Sequence, residues 1–256
     1  MMNLARRVGC IGVLALLAAC VRTDVIEEPT ASPVEAARAN FQLGVEYFKK
    51  NKLPLAYEKF KRSVEQDGSV SQSHAFLALV AEQLDQKDEA RKHYRLALRI
   101  NDKDPVVQNM YGAYLCREGQ AAKAEEHFLL AANNRFYGTP EAALTNAGAC
   151  ALKQQRYDQA LDYLDQALKR NPNYGLALWQ MANLHYEQQR DLQARAFLER
   201  LGLPEQLPPE ALLLGYQIAR RANNAARMDS YRAALTERFP DSTETTQLLE
   251  IERNGG

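Results

Sequence analysis

The feature that most constrains this chain is a ladder of small and large residues that recurs about every 34 positions. Its clearest copy consists of Tyr111-Gly112, Leu115, Ala124 and Phe128. Small residues equivalent to Gly112 stand at positions 44, 78, 112, 148, 182 and 215, which are separated by steps of 34, 34, 36, 34 and 33. Five such steps do not arise by chance, so the sequence predicts about six tandem copies of one structural unit.

Each unit reads as two antiparallel helices joined by a turn. The Gly112 and Ala124 positions are small where the helices cross closely, and the large residues fill the space around the crossing. This pattern and period are typical of tetratricopeptide repeats (TPRs). We therefore predict an all-α fold for residues 36–256, a right-handed superhelical solenoid of about six TPRs with a C-terminal capping helix. The repeats are predicted near 37–70, 71–104, 105–140, 141–174, 175–207 and 208–240, with the cap at 241–253.

The first 19 residues are predicted to be a lipoprotein signal peptide. Arg6-Arg7 precede an apolar run, Val8 to Ala19, that is too short to span a bilayer comfortably. The run ends in Leu17-Ala18-Ala19-Cys20, a sequence similar to a bacterial lipobox. This predicts cleavage before Cys20 and lipid attachment to its thiol; the alternative is an ordinary signal peptide with Cys20 unmodified. Residues 20–35 are predicted to form a flexible tether after the lipidated cysteine.

No catalytic constellation can be assembled from this sequence. The four histidines are expected in four different repeats and never stand four residues apart, so no HExxH-type metal site is predicted. The sequence contains neither a GxxxxGK[ST] phosphate-binding loop nor a GxSxG nucleophile motif. Because Lys plus Arg and Asp plus Glu both number 32, no global basic field would attract nucleic acid. We predict no enzyme activity, cofactor, metal, small-molecule substrate or nucleic-acid partner.

Cys116 and Cys150 form an even pair once Cys20 is assigned to lipid. Cys116 follows Gly112 by four residues and Cys150 follows Gly148 by two, so both lie on the first helices of adjacent repeats. An oxidising compartment favours a disulfide between them, which would join the third repeat to the fourth. Two unlinked buried thiols are the alternative.

Binding is expected on the inner face of the solenoid, which the first helix of each repeat lines. Positions three before the small residue, one after it, and four or five after it are predicted to point there. At the uncovered first repeat, the candidate partner-binding residues are Phe41, Val45, Phe48 and Lys49, followed by Leu79 in the second repeat. Exposed apolar residues of this kind suit a docking peptide or helix. Alternatively, Val25-Ile26 or residues 33–37 fold back over them.

A second candidate anchor lies in the fifth repeat. It consists of Trp179, Asn183 and Tyr186, with the two aromatic residues seven positions apart on one helix face. Aromatic residues of this kind often dominate binding energy at interfaces. The alternative is that Trp179 and Tyr186 pack between the fifth and sixth repeats.

Three segments carry a resemblance to a known family, namely Asn109–Gly119, Asn146–Lys153 and Leu213–Arg220. With the lipobox and the repeats, they resemble the type IV pilus biogenesis and stability lipoproteins, the PilF/PilW family, in which both cysteines have counterparts. The resemblance implies six TPRs, no catalysis, and attachment to the periplasmic face of the outer membrane. It also implies a pilotin role: promoting localisation and multimerisation of the secretin, or stabilising the pilus.

The residue after Cys20 is Val21, not Asp. By resemblance to enteric bacterial lipoproteins, this favours the outer membrane over the inner one. An alternative function is that of a TPR lipoprotein accessory to outer-membrane protein assembly or cell-wall synthesis.

Overall fold

The computed structural model of the chain describes residues 32–254, which fold into stacked helical hairpins without a β-strand in that range. This confirms the predicted all-α, TPR-type solenoid. The α-helices of this range are α1 (Pro33–Lys49), α2 (Leu53–Gln66), α3 (Ser71–Gln83), α4 (Lys87–Ile100), α5 (Pro105–Arg117), α6 (Ala121–Ala132), α7 (Pro140–Lys153), α8 (Tyr157–Arg170), α9 (Gly175–Glu187), α10 (Asp191–Leu201), α11 (Pro209–Arg221), α12 (Ala225–Arg238) and α13 (Thr243–Asn254). A 3₁₀ turn, Pro204–Gln206, precedes α11. None of the helices in the described range is long and apolar enough to cross a membrane.

The two helices of each hairpin cross at the small ladder residues. The second-helix alanines are fully buried at Ala56, Ala90, Ala124, Ala160 and Ala194. A Cβ added to Gly112 would lie 2.9 Å from the Phe128 ring and 3.1 Å from the carbonyl oxygen of Ala124. Glycine is therefore required at this crossing by space, because the buried ring and the backbone cannot both move away.

Each hairpin turns at a residue in the left-handed backbone region. These residues have φ between 50° and 75° and are Asn51, Asp85, Gly119, Gln155, Gln189 and Asn223. Glycine, asparagine and aspartate adopt this conformation more easily than other residues. The turn residue follows the small ladder residue by seven positions in the first five hairpins, but Asn223 follows Gly215 by eight. Tyr231 still follows Gly215 by sixteen residues, as Phe128 follows Gly112, and its ring lies against Gly215.

From α3 onward, the odd-numbered helices lie closer together than the even-numbered ones. Contacts join α3 to α5, α5 to α7, α7 to α9, and α9 to α11. No comparably extensive contact joins neighbouring even-numbered helices among α2 to α12. The odd-numbered helices therefore line the inner side of the stack, and we call their exposed side the inner wall.

The two ends of the array differ from the sequence prediction in detail. Ser32 caps α1 through a capping box with Glu35, so residues 33–35 of the predicted tether are helical. Residues 1–31, which include the predicted signal peptide, Cys20 and the rest of the tether, lie outside the described residues. At the other end, α13 buries Leu248 against the last hairpin, and the Tyr216 hydroxyl donates to Glu252 at 3.2 Å.

A disulfide joins the third and fourth hairpins. The sulfur atoms of Cys116 on α5 and Cys150 on α7 are bonded, and their Cα atoms lie 5.9 Å apart. The bridge closes a loop of 34 residues. It therefore fixes the relative position of two neighbouring inner-wall helices.

Replacing both cysteines, as in Cys116→Ser/Cys150→Ser, is expected to lower the free energy of unfolding by about 4 kcal/mol, because the chain-entropy model assigns that value to a loop of this length. Urea unfolding followed by circular dichroism measures the change. A reductant should destabilise the wild-type chain by the same amount and leave the variant unaffected. Two free thiols in the native wild-type protein would contradict the bridge.

Candidate binding site on the inner wall

The N-terminal candidates lie together but are partly packed into the fold. The Phe41 ring lies 5.6 Å from the Phe60 ring and 5.3 Å from the Phe76 ring, measured between centroids. Val45 and Phe48 pack half-buried against the cluster that includes Phe60. The first repeat therefore presents partly exposed apolar side chains that are held in place by packing against the cluster around Phe60.

The two remaining N-terminal candidates lie on α1 and α3. Lys49 is exposed and its Nζ atom lies 3.1 Å from Glu46. Leu79, on the neighbouring helix α3, is half-buried. We call Phe41, Val45, Phe48, Lys49 and Leu79 the N-terminal patch. Its partial exposure is compatible with docking of an apolar segment.

The predicted aromatic anchor in α9 also packs within the fold. Trp179 and Tyr186 are half-buried against the core formed by the last hairpins. The Asn183 amide donates to the carbonyl oxygen of Trp179 at 3.2 Å. The Arg221 guanidinium lies 3.7 Å above the Tyr186 ring. Packing between the fifth and sixth repeats therefore buries part of both aromatic side chains, while the rest of their surface faces solvent.

A small cleft lies between the third and fourth hairpins, and we call it the middle cleft. It has a volume of about 150 Å³. Its lining residues are the disulfide-bonded Cys116 and Cys150 together with Ala113, Arg117, Phe128, Asn146, Ala149 and Lys153. The Asn146 amide donates to Asn109, whose own amide donates to the Tyr137 hydroxyl. These bonds fix the amide side chains along one edge.

A second cleft, the C-terminal cleft, lies where the fifth and sixth hairpins meet α13. Its volume is about 480 Å³, and its lining residues are Tyr186, Gln217, Arg220, Arg221 and Ile251. The sequence ladder places Arg220 on the inner face but does not predict this cleft. The cleft requires α13 to pack beside α11, which the periodic pattern does not specify.

The histidine prediction was wrong in one respect, because His74 and His93 lie in one hairpin. Their Nδ1 atoms are 2.8 Å apart, and His74 Nε2 lies 3.2 Å from the carbonyl oxygen of Gly68. Since the carbonyl accepts from His74 Nε2–H, His93 Nδ1–H donates to His74 Nδ1. His185 is buried as expected and stacks on Phe197, with ring centroids 5.4 Å apart.

The buried pair is held neutral by its surroundings. Burial, and then the neighbouring His74, lower the pKa of His93 to about 4 against the opposing effect of Glu89. Burial likewise lowers the pKa of His74, as does Lys92, while the Gly68 carbonyl opposes the shift. No group of three or more His, Cys, Asp or Glu side chains in residues 32–254 is arranged to hold a metal ion.

Stacked helical hairpins with this residue ladder define a tetratricopeptide repeat protein. Family models described as "Tetratricopeptide repeat" match residues 41–105 and 151–214, and the chain belongs to this class. Within it, the chain is homologous to a curated relative, the type IV pilus assembly protein PilF of Pseudomonas aeruginosa, with 27% identity over 82% of this chain and 83% of PilF.

Solved structures extend this relationship. The crystal structure of PilW, described as a widely conserved type IV pilus biogenesis factor, superposes with a TM-score of 0.72 and 27% identity over 83% of this chain and 98% of PilW. The structure of P. aeruginosa PilF gives a TM-score of 0.68 and 26% identity over 86% of this chain and 99% of that one. The likeness therefore spans nearly all of both relatives, which confirms the family resemblance.

The His74–His93 pair is expected to make stability depend on pH. Because the pKa of His93 is about 4 in the folded chain and 6.5 in the unfolded one, the unfolded chain binds more protons between these values. The free energy of unfolding should therefore fall as pH falls from about 6.5 to about 4. Urea titrations across this range measure the slope.

The fifth hairpin shows which residues can replace the pair, because Leu178 and Phe197 occupy the positions equivalent to His74 and His93. His74→Leu/His93→Phe should reduce the slope, whereas His127→Phe should leave the contribution of the pair intact. An unchanged slope in the double variant would rule out the pair as its source.

Proposed function

We propose that this chain is a non-enzymatic scaffold for type IV pilus biogenesis that acts as a pilotin at the outer membrane. The observation that carries the proposal is the homology to PilF over 82% of the chain and the likeness to the PilW fold over 83% of it. In this role the chain binds the secretin of the pilus machinery and promotes its localisation and multimerisation, or stabilises the pilus.

The N-terminal patch supports a protein-binding role. Phe48 and Val45 combine partial exposure with packing against buried side chains, so their orientation is set before a partner arrives. Preorganised apolar side chains lose little conformational entropy on binding. We propose that the patch docks an apolar segment of the secretin, while Trp179 and Tyr186 provide a second contact.

Phe48→Ser is expected to reduce secretin multimers and twitching motility several-fold, because it removes apolar contact area from the patch. Leu55→Ser is the matched control, since Leu55 is an exposed apolar residue on α2 in the same hairpin. Multimers are measured by gel electrophoresis of envelope fractions, and the melting temperature of each variant monitors folding. Unchanged multimers with Phe48→Ser would exclude the patch.

The partners that co-purify with the chain test the function itself. Secretin and pilus subunits would support the pilotin role. Barrel-assembly factors or cell-wall enzymes, in the absence of the secretin, would instead show that the chain is a scaffold of those processes.

Anchoring to the outer membrane is a separate part of the proposal, supported by the lipobox at Leu17–Cys20. Cys20→Ser should release the chain into the soluble periplasmic fraction, because stable anchoring requires the acyl chains on that thiol. Cys10→Ser is the control, since Cys10 lies in the segment predicted to be removed. Mass spectrometry of the mature chain and fractionation measure both effects. A mature N-terminus other than an acylated Cys20 would refute the anchor.

A further inference from the structure

The two clefts of the inner wall share one chemical property. Arg117 and Lys153 line the middle cleft, and Arg220 and Arg221 line the C-terminal cleft. Neither cleft has a carboxylate among its own lining residues, and Glu250 lines the adjoining cleft on the other side of Arg220. Each cleft is therefore a cationic pocket on a chain whose overall formal charge is zero.

Within each pocket, one cation is already paired and the other is not. Arg117 makes two bonds to Glu82, of 2.5 and 2.6 Å. Arg221 lies 3.2 Å from Asp191 and stacks on Tyr186. Lys153 and Arg220 are exposed and have no ion-pair partner among residues 32–254. One uncompensated positive charge therefore remains in each pocket.

The charge of the inner wall as a whole has the same sign. At the positions predicted to face inward, the cations are Lys49, Arg117, Lys153 and Arg220. The carboxylates at those positions are Glu82 and Glu187. Glu46 pairs with Lys49 at 3.1 Å and is the third carboxylate. Four cations against three carboxylates give a net charge of +1, so the surface favours a negatively charged partner.

The floor of the middle cleft is suited to a polypeptide in extended form. Ala113 and Ala149 line it, and their short side chains leave space for a backbone to approach the wall. The fixed amide of Asn146 stands at the edge, where it can bond to peptide groups. At the C-terminal cleft, the exposed part of Tyr186 offers an apolar surface next to the cations.

The spacing of the two clefts sets a spacing for their ligand groups. The middle cleft lies between α5 and α7, and the C-terminal cleft lies between α9 and α11, so they are two hairpins apart. Packed helices lie about 8–10 Å apart, which separates the clefts by roughly 20 Å. An extended chain rises about 3.3 Å per residue, so ligand groups about six residues apart match this distance.

We propose that the inner wall recognises an extended acidic segment of its protein partner through two carboxylates about six residues apart. One carboxylate pairs with Lys153 in the middle cleft and the other with Arg220 in the C-terminal cleft. This inference rests on the proposed scaffold function and adds the chemistry of the bound segment. The N-terminal patch then holds an apolar part of the partner, while the cationic clefts fix its direction and register.

The test uses the full chain purified in detergent and a phage-displayed library of random 12-residue peptides. Selected peptides are expected to be enriched in Asp and Glu, with acidic pairs five to seven residues apart. Synthetic fluorescein-labelled copies should bind the Lys153→Glu/Arg220→Glu variant at least tenfold more weakly than the wild-type chain. Glu→Gln copies should bind the wild-type chain at least tenfold more weakly, and higher salt should weaken binding of the acidic copies.

Lys61→Glu/Arg170→Glu is the matched control, because it changes the net charge equally at two exposed cations on the even-numbered helices α2 and α8, which have no ion-pair partner among residues 32–254. This control should retain acidic-peptide binding, and circular dichroism should show both double variants to be folded. The proposal is overturned if no peptides are selected, if they lack acidic enrichment, or if both variants lose binding equally. Acidic-peptide binding without secretin co-purification would disprove the pilus role alone, whereas secretin binding that Lys153→Glu/Arg220→Glu leaves unchanged would disprove this inference alone.

Discussion

The structure depends on the close crossing of two helices in every hairpin. At Gly112 the Phe128 ring and the Ala124 carbonyl oxygen leave no room for a Cβ atom. On the second helix, the small residue at the crossing is Ala124, which is fully buried. Because the helices approach so closely, the large ladder residue of the second helix, such as Phe128, fills the space beside the crossing. The same geometry repeated along the chain leaves the first helices of successive hairpins side by side as one continuous wall.

A stack of this kind buries each hairpin only against its neighbours, so its two ends have different requirements. The residue just before each small ladder residue shows this difference. Leu77, Ala147, Met181 and Leu214 are 1–5% exposed and Tyr111 is half-buried, whereas Leu43 in the first hairpin is 46% exposed. The helix α13 covers the other end. Between the ends, the Cys116–Cys150 disulfide adds a covalent link at the third junction, beneath the middle cleft.

The inner wall combines two kinds of recognition chemistry in one surface. Its N-terminal end presents partly exposed aromatic and aliphatic side chains, and its middle and C-terminal parts present cations above small or aromatic residues. Apolar contact contributes affinity, whereas charge pairs contribute specificity and orientation. A protein that holds a partner in one register can use both.

The sequence by itself determined the hairpin architecture, because the spacing of Gly and Ala at helix crossings is a local, periodic property. It also placed Phe41, Phe48, Lys153 and Arg220 on the correct helices. Only the tertiary structure decided which side chains meet. The members of the His74–His93 pair are 19 positions apart in the sequence, and those of the Arg117–Glu82 ion pair are 35 apart. The cleft beside α13 brings together residues that are still farther apart, Tyr186 and Ile251. Such contacts depend on how each helix is rotated against its neighbour, and side-chain packing sets that rotation to within a fraction of a turn.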